Sequence, residues 1–281
     1  MSMKPKISVV VPSFNQAVYL EETLLSIINQ SYSNFELIVI DGGSSDDSIE
    51  IIKKYSDNIA FWVSEKDNGQ THAINKGFKI AKGDLVCWMN SDDVFCEDAF
   101  LNIAELYCKY PDVDVFYGDK VHIDYKGNEL FIQRYAPYRV YTFANDKMAM
   151  CNQACFWKRS VFERIGFLDE SIQFAMDLEY FVRMGMKGLS FLHRPILFGK
   201  QRYYSGTKTS EEKWQKVLHQ NRTEIIQRYG LKQNLILKLR SKYVRLIYYF
   251  FTGNIGYVFE KKKAVVYNTP HSLDRKDDLR S

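Results

Sequence analysis

Two adjacent carboxylates, Asp92 and Asp93, follow Asn90 and Ser91 at the end of the apolar run Leu85 to Met89. Neighbouring acids leaving a buried strand repel one another unless a cation or a dense set of hydrogen bonds compensates them. Hard divalent cations take carboxylates together with substrate phosphates, so a site for Mn2+ or Mg2+ with a diphosphate is one reading. The other is a helix cap, with Ser91 or Asp92 starting a helix near Glu97. Asp41 closes Phe35 to Ile40 and precedes Gly42-Gly43. An acid there can accept hydrogen bonds from a nucleobase or ribose, or it is only a turn residue. Asp67-Asn68-Gly69 carries the same two readings. Asp177 opens the otherwise apolar stretch Met176 to Phe181, at a helix N-terminus whose dipole keeps a carboxylate ionised. Beside an acceptor hydroxyl it could work as a general base; otherwise it is an N-cap. Glu179 lies two residues on, turned roughly 200° away.

These acids need elements to hold them. Ile7 to Val11, Phe35 to Ile40, Ile59 to Val63 and Leu85 to Met89 read as buried strands, being short apolar runs rich in β-branched residues. Between them, helical spacing recurs at Leu20, Leu24, Ile27 and Ile28, at Ile49, Ile52 and Tyr55, and over Thr71 to Ala81. That alternation predicts an open, mostly parallel α/β sheet with helices on both faces. Polar segments at the strands' carboxyl ends then converge on one crevice: Pro12-Ser13-Phe14-Asn15, Asp41 onward, Glu65 to Gly69, and Asn90 to Asp93. Beyond residue 111, Val113 to Tyr117 reads as a strand, Lys120 to Arg134 as a hairpin turning at Lys126-Gly127-Asn128, and Ser210 to Tyr229 as a long helix ended by Gly230.

Taken together, these segments, with Ala73-Ile74-Asn75-Lys76-Gly77, Gln153 to Asp169 and Met176 to Glu179, make the sequence resemble the family-2 glycosyltransferases of GT-A fold from residue 5 to about 190. The resemblance implies a Rossmann-like α/β domain using a nucleotide-diphosphate sugar, a UDP-sugar being favoured, to glycosylate a glycan or lipid-linked acceptor. Pro12, Ser13 and Asn15 would line the nucleotide pocket and Asp41 would read the base. Asp67, Asn68, Gly69 and Asn75 would complete the donor cleft. Asp92 and Asp93 match the D-x-D metal region, Asp177 the base of an inverting mechanism. Gln153, Trp157 and Glu179 are acceptor-side candidates. Asn90 stands where the first D-x-D acid is usual and Met176 where an acid usually precedes the base. Tyr204 stands where many relatives place a histidine two residues after an arginine.

Composition narrows the class. A net charge of +4, dispersed and without any nucleic-acid motif, argues against a nucleic-acid partner. No G-x-G-x-x-G follows a strand, which removes a dinucleotide oxidoreductase, and Pro12 to Val18 lacks the glycine-rich basic loop a nucleotidyltransferase would use. A nucleotide-sugar-binding protein without turnover stays open, given Asn90 and Met176. Five cysteines in no metal-binding spacing, no signal-peptide pattern and no run of about 20 apolar residues point to the cytoplasm, at most the inner face of the membrane. Residues 1–209 are expected to form the catalytic domain, with a nucleotide-binding half over about 5–110 and an acceptor half over 111–209. Residues 210–281 are expected to form a helical, basic and aromatic extension with a frayed tail. Basic residues from Lys232 to Lys263 accompany Leu246 to Phe251, which suits either peripheral contact with anionic lipid or docking on the catalytic domain.

Overall fold

The computed structural model describes residues 4–145, 150–172, 174–204 and 212–258. The residues expected to begin the helix at Ser210, the cluster Lys261 to Lys263 and the tail after Thr269 lie outside them.

The expected α/β fold is present as one nine-stranded sheet with flanking helices. Strands β1 (Ile7–Ser13), β2 (Phe35–Asp41), β3 (Phe61–Ser64) and β4 (Leu85–Trp88) pair in parallel in the order β3-β2-β1-β4. Helices α1 (Ala17–Ile28), α2 (Ser48–Lys54) and α3 (Gln70–Ile80) connect them. β1 is buried on both faces, which is why it is mostly apolar and rich in β-branched residues.

Past β4 the sheet turns mixed. The two-residue β5 (Val94–Phe95) and α4 (Ala99–Lys109) lead to β6 (Val115–Ile123), a long, wholly buried strand. β6 forms the expected hairpin with β7 (Glu129–Gln133) through a turn where Gly127 has φ 88°, a conformation glycine adopts without strain. β8 (Cys155–Lys158) bridges β4 and β6 antiparallel to both. β9 (Phe191–Arg202) runs parallel to β6 along its whole length. Short helices α5 (Val140–Asn145) and α6 (Val161–Ile165) precede α7 (Met176–Met186), which carries Asp177.

Beyond residue 209 the described helices pack on the preceding chain. Helix α8 (Glu212–Arg228) packs on α7 through Ile225, which shares a buried cluster with Phe143, Ala175, Leu178 and Val182. Helix α9 (Leu235–Phe251) lies against α5 and buries Ser241 and Tyr249. Asn234 caps α9, its side chain accepting from Leu237 N.

Candidate active site

The strand-end loops open on a cleft of about 1000 Å3. Pro12, Ser13, Gly42, Asp67, Gly69, Asp92, Asp93, Gln153 and Asp177 all line it, so residues from four strand ends and two later elements meet in one place. Four buried polar atoms on its wall, Ser13 Oγ, Trp88 Nε1, His122 Nδ1 and Asn152 Nδ2, make no hydrogen bond with the described residues.

The acidic loop is built asymmetrically. Asp93 is fully buried and accepts three hydrogen bonds, from Gln153 Nε2 at 2.8 Å, Asn90 Nδ2 at 3.0 Å and the Arg202 backbone N–H at 2.9 Å. Asn90 in turn accepts from Gln70 Nε2 at 2.9 Å. An amide can donate to Asp93 while accepting from Gln70, which a carboxylate in its place could not. Asp92 is half-buried and accepts one side-chain hydrogen bond, from the Tyr204 hydroxyl at 3.2 Å. Burial, and next the Asp93 charge, push its pKa up to about 7. Asp92 is therefore the member of the pair whose ionised form is poorly compensated.

That chemistry fits a divalent cation shared with phosphates: a half-buried carboxylate on an open cleft, its pKa pushed up to about 7, with no third acidic, histidine or cysteine ligand grouped there among the described residues. Asp93, expected with Asp92 as a metal ligand, lines the cleft beside it and also anchors the loop. Tyr204, in the place where relatives often carry histidine, puts a hydroxyl on Asp92, and its own pKa is raised by burial and next by the Asp92 charge.

Asp177 is at the second position of α7, and its Oδ1 accepts from Leu178 N at 2.9 Å. Its pKa is raised by burial; that backbone bond, and after it the Lys120 charge, work in the opposite direction. Lys120, buried on β6, lines the same cleft and donates to Gln201 Oε1 at 2.5 Å. Ala175, the residue before the helix, holds φ 67°, a left-handed conformation that costs a non-glycine residue roughly 1–3 kcal/mol. Beneath the chain leading to α7, Asn75 on α3 donates to Leu168 O and Glu170 Oε1, both at 2.9 Å, and Thr71 donates to Ile172 O at 2.9 Å. The chain leading to α7 is thus braced from α3.

Several expected site residues are elsewhere. Asp41 is fully buried and spends its carboxylate on Gly43 N, Ser44 N, Ser44 Oγ and Ser64 Oγ. It shapes the Gly42-Gly43 turn that lines the cleft. Asn15 and Asn75 likewise position loops, Asn15 by accepting from Ser45 N at 2.8 Å, while Asn68 is exposed beside the cleft. Trp157 is a core residue among Phe78, Trp88 and Tyr180, with no exposed surface. Glu179 points away from the cleft, ion-paired with Arg183 at 2.8 Å and accepting the Tyr229 hydroxyl. Conversely, Lys120, His122, Asn152 and Arg202 line the cleft and were not among the candidates. Arg202 sits 4.6 Å over the Tyr19 ring, pairs with Glu22 at 2.5 Å and donates to the Asp92 carbonyl at 3.0 Å.

The family model described as Glycosyl transferase family 2 matches residues 8–166, more than half of the chain, and the chain belongs to that family. An uncharacterized glycosyltransferase of Rickettsia typhi is 27% identical over 214 residues, covering 73% of this chain and 66% of its own length. A PGL/p-HBAD biosynthesis glycosyltransferase of Mycobacterium bovis is 27% identical over 188 residues, 64% of this chain and 69% of that protein. Among solved structures, S. aureus TarS 1-349 in complex with UDP-GlcNAc superposes with TM-score 0.58 at 17% identity, covering 92% of this chain and 78% of that one. Mannosyltransferase PcManGT from Pyrobaculum calidifontis, in complex with GDP-Man and Mn2+, superposes with TM-score 0.57 at 16% identity, covering 95% and 88%. At these identities the structural likenesses speak for the GT-A fold.

Proposed function

We propose that this protein is an inverting glycosyltransferase that moves a hexosyl or N-acetylhexosaminyl group from a nucleotide-diphosphate sugar to an acceptor hydroxyl. The observation that carries this reading is the meeting of Asp177 and Asp92 on one cleft formed at the strand ends. Pro12, Ser13, Gly43, Asp67 and Gly69 form the nucleotide side, with Asp41, Asn15 and Asn75 fixing their loops and Asn68 at the rim. Asp92 would hold the metal–diphosphate, and Asp93 pins the loop that presents it. A bound Mn2+ or Mg2+ would supply charge neutralisation for the departing nucleoside diphosphate. Asp177 takes the proton of the acceptor hydroxyl as that oxygen attacks the anomeric carbon from the face opposite the leaving group. One displacement inverts the configuration. Gln153, on the cleft wall, fixes Asp93 and stands on the acceptor side.

Neighbours crystallised with UDP-GlcNAc and GDP-Man support a nucleotide-sugar donor, and the mycobacterial relative supports a role in glycan synthesis. A UDP-sugar donor, a lipid-linked or cell-surface glycan acceptor and work at the cytoplasmic side of the membrane complete the reading. A thermal-shift panel of UDP- and GDP-sugars with and without Mn2+ tests it. A metal-dependent rise in unfolding temperature with one donor is expected; no shift with any nucleotide sugar would overturn it.

A further inference from the structure

The stretch Leu246 to Phe251 defies simple amphipathic phasing because α9 has two apolar sides. One is docked: Tyr249 is buried and donates from its hydroxyl to Arg134 O at 3.0 Å, and the Tyr248 hydroxyl meets His193 Nδ1 at 2.8 Å. The other faces out. Successive helical residues turn by about 100°, which places Ile236, Leu239, Tyr243, Leu246, Ile247 and Phe250 in one sector roughly 100° wide. These six are exposed, Ile236 at 77% and Phe250 at 67%, and Phe251 extends the patch at 80%. A continuous apolar strip on a helix already anchored by its opposite side marks an interaction surface.

Charge selects the occupant. By the same helical geometry Arg240 borders the strip about 20° beyond Ile247, and Lys242 borders it about 40° beyond Leu246. Lys238, Arg240 and Lys242 are exposed, and the sequence from Lys232 to Val258 contains no aspartate or glutamate. No helix among the described residues is long and apolar enough to cross a membrane, and four basic residues within the 17 of α9 would forbid it there. An apolar strip with cationic borders and no acid suits a helix lying in the headgroup region of an anionic bilayer. We infer that the outer face of α9 is a membrane-docking surface for anionic phospholipid, carrying the catalytic domain on its inner face.

Vesicle binding by this face does not depend on the chemistry of the cleft, so failure of one leaves the other standing. The full-length protein is sedimented with vesicles of phosphatidylcholine alone and with vesicles containing phosphatidylglycerol. Binding is expected to the second only, weakening as salt is raised. The double variant Arg240→Gln, Lys242→Gln should lower partitioning by about 25-fold, at roughly fivefold per charge near the surface. Ile247→Asp with Phe250→Asp should abolish binding, with an unchanged unfolding temperature showing that the docked side is intact. Equal affinity for both vesicle types, or native-like binding by both variants, would overturn the inference. So would a concentration-dependent dimer dispersed by Phe250→Asp, which would make a second copy the occupant.

Discussion

The backbone N–H of Arg202 donates to Oδ1 of Asp93 at 2.9 Å, tying the end of β9 to the acidic loop across 109 positions of sequence. With Gln153 and Asn90 donating to the other oxygen, Asp93 is the knot of the site. Asp93→Ala leaves three buried donors without an acceptor, each worth about 1–3 kcal/mol when unpaired. Urea unfolding should show a loss of at least about 3 kcal/mol. An unchanged midpoint would show that the knot is not structural.

Asp92 should behave differently. Asp92→Asn removes a poorly compensated charge, so the fold should survive while metal-linked donor binding falls. Calorimetric titration of Mn2+ with nucleoside diphosphate reads this directly. Retained metal-dependent affinity in Asp92→Asn, with loss in Asp93→Asn, would reverse the two roles.

The parallel part of the sheet was legible because strands buried on both faces leave nearly continuous apolar runs, and the polar residues that end them fall at one edge of the sheet. The part beyond residue 111 was less so. β9 was not read, since His193, Arg194, Pro195 and Lys200 interrupt its apolar pattern. Lys120 and Arg202 gave no local signal, because their significance lies in partners up to 180 positions away. Trp157 was an acceptor-side candidate, yet it lies in the aromatic core with Phe78 and Trp88; composition cannot tell a buried indole from an exposed one. The opposition of Asp177 and Glu179 on α7 was readable, because two helical steps turn side chains to opposite sides. Asp177 lines the cleft and Glu179 pairs with Arg183.

Burial raises the pKa of Asp177 above its ordinary 3.8, so the folded state disfavours its ionised form. That penalty is absent below the ordinary carboxylate range and grows as pH rises through the folded pKa. Asp177→Asn should therefore raise the unfolding temperature near neutral pH, with the gain fading toward about pH 4. Turnover by the native enzyme should rise with pH through an inflection above the ordinary carboxylate range. A gain in stability independent of pH would contradict the buried, ionised base.

Lys120 lowers the Asp177 pKa through space. Lys120→Met should move the acidic limb of the kcat profile to higher pH, while Lys120→Arg keeps it nearer the native position. An unmoved limb in Lys120→Met would separate the ammonium from the base.

The most direct test is single-turnover kinetics of Asp177→Asn with the donor identified by thermal shift, together with NMR of the product's anomeric configuration. Donor affinity should stay near the native value, turnover should fall by about 10²–10⁴-fold, and the native product should be inverted. Glu179→Gln, which loosens an ion pair on the far side of α7, should cost far less. Native-like turnover in Asp177→Asn, or a product that retains the donor's configuration, would contradict the assignment of Asp177 as the base of a single displacement.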